Sequence, residues 1–246
     1  MMQITPTVKQ LLIINVICFI GAQLVKQSND VLALYYFENT NFRLWQLLTY
    51  MFMHGSFTHI LFNMFALYSF GTALEHFWGA KKFLFFYISC GIGAGFIHSG
   101  VNYIHFQEGL NLLVENGEKK IEIFKILKEG KYNIAWEQIL SPQGVTSFLS
   151  AYVSRAVGAS GAIYGLLTAF AFMFPNAELM MMFIPVPIKA KYFVPILVGM
   201  DLFSGVTGAS IFGGNIAHFA HVGGALIGFI MMWYWKKNSF NDNRWN

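Results

Sequence analysis

Ser160 lies within Gly158-Ala159-Ser160-Gly161-Ala162-Ile163-Tyr164-Gly165 at the head of an apolar segment, and His221 opens a later apolar run that contains Gly224 and Gly228. Hydrocarbon makes any polar side chain expensive, so a serine and a histidine retained there point to chemistry. A neutral imidazole can take the proton of a serine hydroxyl and return it to a leaving amine, which is the division of labour in serine nucleophiles generally. Ser160 opens its helix, where amides without an intrahelical partner face any oxyanion formed beside it. The run is not the G-x-S-x-G elbow of soluble hydrolases, because Ala162 stands where that turn needs glycine. Gly161 with Gly165, and Gly224 with Gly228, repeat at the four-residue spacing that lets membrane helices approach closely. The two segments are therefore expected to touch, with His221 turned into the contact and Tyr164 packed against its ring.

A third polar cluster runs from His54 to Asn63. His59 and Asn63 are four residues apart and share a helix face, so both can direct donors to one point, as an oxyanion hole requires. Taken alone, the pair reads equally as interhelical glue. His54, His59, His218 and His221 raise metal ligation, since histidine is the commonest metal ligand. Their spacing matches no zinc motif and no carboxylate or thiolate nearby in sequence completes a set, so neither metal nor cofactor is expected.

The elements that must hold these residues are membrane helices. The 246-residue chain is 56% hydrophobic and only 11% charged, with mean hydropathy +0.50, far from soluble globular averages. A formal charge of +4 without a basic patch gives no sign of nucleic-acid binding. Cys18 and Cys90 both lie in apolar runs and read as small hydrophobes.

Six runs approach the roughly 20 residues that span a bilayer core: Val8 to Val25, Phe57 to Phe77, Phe83 to Tyr103, Ser160 to Phe174, Tyr192 to Ile211 and Ile216 to Trp235. The first is interrupted by Asn15 and no A-x-A site follows it, so a retained helix is expected. Lys81, Lys82, Lys189, Lys191, Lys236, Lys237 and Arg244 flank one set of helix ends, and the positive-inside rule then puts both termini in the cytoplasm and the chain in a plasma (inner) membrane. Residues 104–156 have ordinary soluble composition, with five lysines and six glutamates, and are expected to form an extracytoplasmic loop inserted in a single domain, 1–246. Within it Ile121, Phe124 and Leu127 recur at helical spacing, and Trp136, Ile139 and Leu140 form a second amphipathic turn before Ser141 and Pro142 break it. Tyr35, Tyr36 and Phe37, between Val31 and Leu44, suit a membrane interface.

The fourth run, Ser160 to Phe174, has fifteen residues, a helix of about 22 Å against a core of about 30 Å. If its Pro175 end sits at one boundary, Ser160 lies below the opposite surface by about a third of the core.

Together these motifs resemble the rhomboid family of intramembrane serine proteases. The resemblance rests on GxSG at Gly158 to Gly161, AHxxGxxxG at Ala220, His221, Gly224 and Gly228, and HxxxN at His59 and Asn63. It implies an all-α, six-transmembrane-helix bundle with a short fourth helix. Ser160 would be the nucleophile and His221 the general base, a dyad without a third carboxylate, with His59, Asn63 and the Ser160 amide as the oxyanion hole and Tyr164 supporting His221. Gly71 and Glu75 resemble its GxxxE and read as structural, while Asp201 and Phe203 resemble its fifth-helix pattern beside the substrate gate. The substrates implied are transmembrane proteins within a lipid bilayer; the alternative is an inactive relative that only binds them. Two departures stand out: Trp45-Gln46 where many relatives have Trp-Arg, and the insertion itself.

Overall fold

The computed structural model describes residues 3–25, 27–181, 184–209 and 217–238. The main helices are α1 (Pro6–Leu24), then after short α2 (Ser28–Leu32) and α3 (Gln46–Thr49), α4 (Phe57–Ala66) continued through a π turn (Leu67–Gly71) into α5 (Thr72–Trp78). There follow α6 (Ala80–Glu115), α7 (Lys120–Lys128), α8 (Glu137–Val153), α9 (Ser160–Met173), α10 (Ala190–Thr207) and α11 (His218–Asn238). Three of these helical stretches are long and apolar enough to cross a membrane: α1, the continuous Phe57–Trp78 stretch, and α6; α9 is shorter and also apolar.

The expected ends of the fifth and sixth runs at Ile211 and Ile216, and Arg244, lie outside the described residues. Two small sheets qualify the all-α expectation. β1 (Leu34–Tyr35) pairs antiparallel with β2 (Arg155–Ala156), and β3 (Glu178–Met181) with β4 (Ile184–Lys189). The first sheet is reinforced by an ion pair between Arg155 and Asp30, and so ties the loop after α1 to the segment entering α9.

Close backbone approach organises the bundle. A Cβ on Gly224 would lie 1.8 Å from the Gly161 carbonyl oxygen, and one on Gly228 would lie 2.8 Å from Gly165 Cα. A Cβ on Gly165 would in turn lie 2.4 Å from Cys90 Sγ, so Cys90 of α6 fills the remaining side of that contact. In the middle of α5, Glu75 accepts from Thr5 Oγ1 (2.6 Å), Thr7 N (3.0 Å) and Val8 N (2.9 Å). One buried carboxylate thereby caps the start of α1, satisfying amides that the helix itself leaves unpaired.

The insertion departs most from expectation. α6 does not end near Tyr103 but continues to Glu115, because Phe106, Leu110 and Leu113 keep helical spacing on one buried face. It stops where Gly117 takes φ +97°, and the Glu118 amide bonds the Leu113 carbonyl at 3.0 Å, a Schellman-type ending. In α7 the inward residues are Ile123 and Leu127, whereas Ile121 is 81% exposed. Ser141, at φ 64°, breaks the helical backbone as expected, and a second helical stretch follows at once from Pro142, so that α8 is two stretches joined at a kink. These helices enclose a second apolar cluster built from Tyr36, Phe106, Leu110, Leu113, Ile123, Leu127, Trp136, Leu140, Phe148 and Tyr152. Tyr36, expected at a membrane interface, is buried in it.

Candidate active site

The fold carries α8 through β2 directly into Gly158 and the start of α9. Gly158 has φ +122°, and a Cβ there would fall 2.7 Å from His59 Nε2, so both backbone conformation and space demand glycine. Its amide bonds the Tyr50 carbonyl at 2.9 Å, while the Tyr50 hydroxyl donates to the Gly91 carbonyl at 2.7 Å. The turn before Ser160 is thus pinned to α6 through Tyr50. The first α9 ladder bond runs from the Ile163 amide to the Ala159 carbonyl, 3.0 Å, which leaves the Ser160, Gly161 and Ala162 amides ahead of the ladder.

Ser160 Oγ is 2.8 Å from His221 Nε2. The Tyr164 ring stacks on the His221 ring with centroids 4.3 Å apart and planes 13° from parallel. Glycines opposed across α9 and α11 bring these helices close enough for a short serine side chain to reach an imidazole on the neighbour.

His59 and Asn63 lie on α4, beside Gly158. His59 Nδ1 accepts from the Gly55 amide at 3.5 Å; a neutral His59 then carries its proton on Nε2, the nitrogen beside Gly158. Asn63 spends one amide hydrogen on the His59 carbonyl at 2.9 Å and retains a second for another acceptor. The His54 ring stands edge-on to His59, centroids 5.1 Å apart. Among the described residues no three His, Cys, Asp or Glu side chains are arranged to hold a metal ion.

Asp201, singled out in the sequence only as part of the fifth-helix pattern, has a contact that the sequence does not show. The resemblance implied a base without a carboxylate partner, yet Asp201 Oδ1 lies 3.1 Å from His221 Nδ1 and 2.6 Å from His218 Nδ1, and the Tyr164 hydroxyl donates to Oδ2. Asp201 is only 2% exposed. Its signal in the sequence was a lone carboxylate inside the apolar run of α10, which must find donors on neighbouring helices.

Gln46, where many relatives carry arginine, is fully buried. Its Oε1 accepts from Arg43 N (3.1 Å) and Tyr35 N (3.4 Å), and its Nε2 donates to Val31 O (3.2 Å) and Asn41 O (3.0 Å). A neutral amide, donor and acceptor at once, therefore holds the first loop without burying a charge.

Apolar helices long enough to span lipid, with polar side chains converging between them, define a multi-pass membrane protein. Residues 41–106 and 137–238 match the Rhomboid domain family, and the chain belongs to that family. The stretch between, residues 107–136, which includes the tail of α6 and all of α7, lies outside that match. The chain is 27% identical over 186 residues to Rhomboid protein 1, mitochondrial, of Saccharomyces cerevisiae, covering 76% of this chain and 40% of that protein. It is 26% identical over 199 residues to RHOMBOID-like protein 12, mitochondrial, of Arabidopsis thaliana, covering 80% and 48%. A shorter match, 44% over 48 residues, covers 20% of this chain and 10% of Rhomboid protease GluP of Bacillus subtilis. The chain spans about half or less of the length of these relatives. The mitochondrial names overturn the expectation of a plasma (inner) membrane with cytoplasmic termini. Lysine placement distinguishes two sides of a bilayer but carries no information about which bilayer it is.

Proposed function

We propose that the chain is an intramembrane serine endopeptidase that hydrolyses peptide bonds in or next to transmembrane helices of other membrane proteins. The observation that carries this reading is the 2.8 Å approach of Ser160 Oγ to His221 Nε2 at the head of an apolar helix. Ser160 attacks the scissile carbonyl as its proton passes to Nε2. The resulting oxyanion is met by the Ser160 amide, His59 Nε2–H and the remaining Asn63 amide hydrogen. His221 then protonates the leaving amine, and water hydrolyses the acyl-enzyme by the same route. None of these steps calls for a metal or cofactor.

In this reading α1, α4 with α5, α6, α9, α10 and α11 form six spans of a single domain in which the insertion rides on α6. The fourteen residues of α9 make a helix of about 21 Å, so Ser160 sits below the membrane surface on the insertion's side. A regular helix hides its peptide bonds, so the substrate must unwind locally, and water must enter through a cavity open to that side. Cleavage falls near the substrate end on that side, favoured by glycine and other helix-weakening residues. The names of the relatives support a mitochondrial membrane as the location.

Purified protein reconstituted into liposomes with a single-span substrate tests this directly. Wild type should release two fragments whose masses place the cut in the substrate third nearest the insertion. Ser160→Ala and His221→Ala should release none, and the double variant should be no worse than either. Cleavage that survives Ser160→Ala would remove the proposed mechanism; a wild-type protein that binds the substrate without cutting it would leave the inactive, substrate-binding alternative.

A further inference from the structure

The cluster behind His221 is chemically complete in a way the serine–histidine pair alone does not require. A carboxylate can only accept hydrogen bonds, so each of the three groups on Asp201 must present a hydrogen. These are Nδ1–H of His218 and Nδ1–H of His221, both on Oδ1, and the Tyr164 hydroxyl on Oδ2. A neutral His221 protonated at Nδ1 has its lone pair at Nε2, the nitrogen facing Ser160 Oγ. The other tautomer would set an N–H against the hydroxyl and could not take its proton.

We infer that Asp201 is the positioning residue that holds His221 in the Nδ1–H tautomer and in register with Ser160, with His218 and Tyr164 as the two groups that fix the carboxylate. This rests on the protease reading for its catalytic meaning, though not for its geometry. Tyr164 acts on the base twice: its ring lies flat on the imidazole and its hydroxyl anchors the carboxylate that the imidazole addresses. His218 occupies the second lone pair of Oδ1 and prevents the carboxylate from turning away from His221. The arrangement depends on α10 coming close to α11, and the contact is tight one turn beyond Asp201, where a Cβ on Gly205 would lie 3.1 Å from the Phe219 ring and 3.3 Å from His218 Cβ.

The proton balance is simple. As the Ser160 Oγ–carbon bond forms, the Oγ–H bond breaks and its proton goes to Nε2. His221 becomes an imidazolium whose charge Asp201 neutralises while remaining ionised. The proton then leaves Nε2 for the amine nitrogen as the peptide C–N bond breaks.

Full-length protein with ¹⁵N-labelled histidine, in micelles, tests the inference without reference to activity. The His221 signals, identified by their loss in His221→Gln, should show Nδ1 protonated and Nε2 bare. In Asp201→Asn, a near-isosteric change, the proton should redistribute toward Nε2. The kcat should fall by roughly 10²-fold or more, KM should stay within about threefold, and the thermal midpoint should hold, as expected of a wrong-tautomer defect. His218→Gln, which leaves the His221 contact in place, should cost about tenfold in kcat, far less than Asp201→Asn. Wild-type His221 protonated at Nε2, or an Asp201→Asn variant that keeps both the tautomer and kcat, would overturn the inference. If wild type shows the Nδ1–H tautomer and yet cleaves nothing, the positioning role stands and it is the protease reading that fails.

Discussion

The bundle around Ser160 and the cluster enclosed by α6, α7 and α8 are both helical and apolar, yet opposite means hold them together. Around the site, Gly161 meets Gly224 and Gly165 meets Gly228, so backbones touch and side chains are nearly absent from the contact. In the insertion the contact is made by large rings: Phe106 stacks on Phe148 with centroids 4.8 Å apart, Tyr152 stacks on Phe106 at 5.4 Å, and Trp136 stands edge-on to Phe148 at 5.9 Å. Lipid tails are as apolar as leucine, so helices inside a membrane gain little from burying large side chains and rely on close packing and hydrogen bonds. Outside it, removing aromatic surface from water is the main driving force. In the proposed topology, the change of packing style along α6, from Gly91 and Cys90 to Phe106 and Leu113, coincides with its passage out of the membrane. On the proposed function it also separates two tasks: the close-packed half would hold the chemistry, and the aromatic half would steady the chain that enters it.

The sharpest way to break that comparison is Gly224→Ala. One methyl group there must displace the Gly161 carbonyl, which should cost about 1–3 kcal/mol and, by moving Ser160 away from His221, reduce turnover by more than 100-fold; unfolding in mixed detergent and a cleavage assay read the two effects. Next come His59→Ala and Asn63→Ala, each expected to lower kcat by roughly 10²-fold with little change in unfolding midpoint, since an oxyanion donor acts on the transition state more than on the fold. Phe148→Ala should show the reverse pattern, destabilising the insertion by about 3–5 kcal/mol while turnover falls less than tenfold. Protease nicking within residues 107–136 would report that loosening before any loss of activity. A cut from Gly109 to Ser141, by contrast, would strip Leu110, Leu113, Ile123, Leu127, Trp136 and Leu140 from the cluster and should not be tolerated as a simple loop deletion. The smallest effect belongs to Lys131→Ala, which breaks a solvent-exposed ion pair with Glu129 and should leave the unfolding midpoint and activity within experimental error.

What was legible in the sequence follows the same division. Ser160, His221 and the paired glycines stood out because hydrocarbon tolerates few polar groups and because small residues at four-residue spacing mean only a few things there. Asp201 was visible as a residue but not as the neighbour of His221, since contacts between α10 and α11 have no periodicity within either segment. In the insertion, amphipathic periodicity signalled the helices and most of their inward residues, Leu127, Trp136 and Leu140 among them, but not Ile121: Ile121 and Ile123 are equally apolar, and only the position of α6 decides which one is buried. The apolar run of the third helix ends near Tyr103 because composition turns polar there, whereas the backbone runs on as long as Phe106, Leu110 and Leu113 have something to cover. Ser141 and Pro142 do break the first stretch, and a second follows at once because a proline early in a helical stretch lacks only an amide that would be unpaired anyway.

The central claim is that Ser160 is an activated nucleophile with His221 as its base, and a mechanism-based serine probe tests it most directly. Wild-type protein incubated with a fluorophosphonate, digested and analysed by mass spectrometry should carry the adduct on the peptide containing Ser160 and on no other serine. Labelling should vanish in Ser160→Ala and slow by at least 100-fold in His221→Ala. An unlabelled wild type that remains folded, or an adduct that forms as fast without His221, would contradict the account.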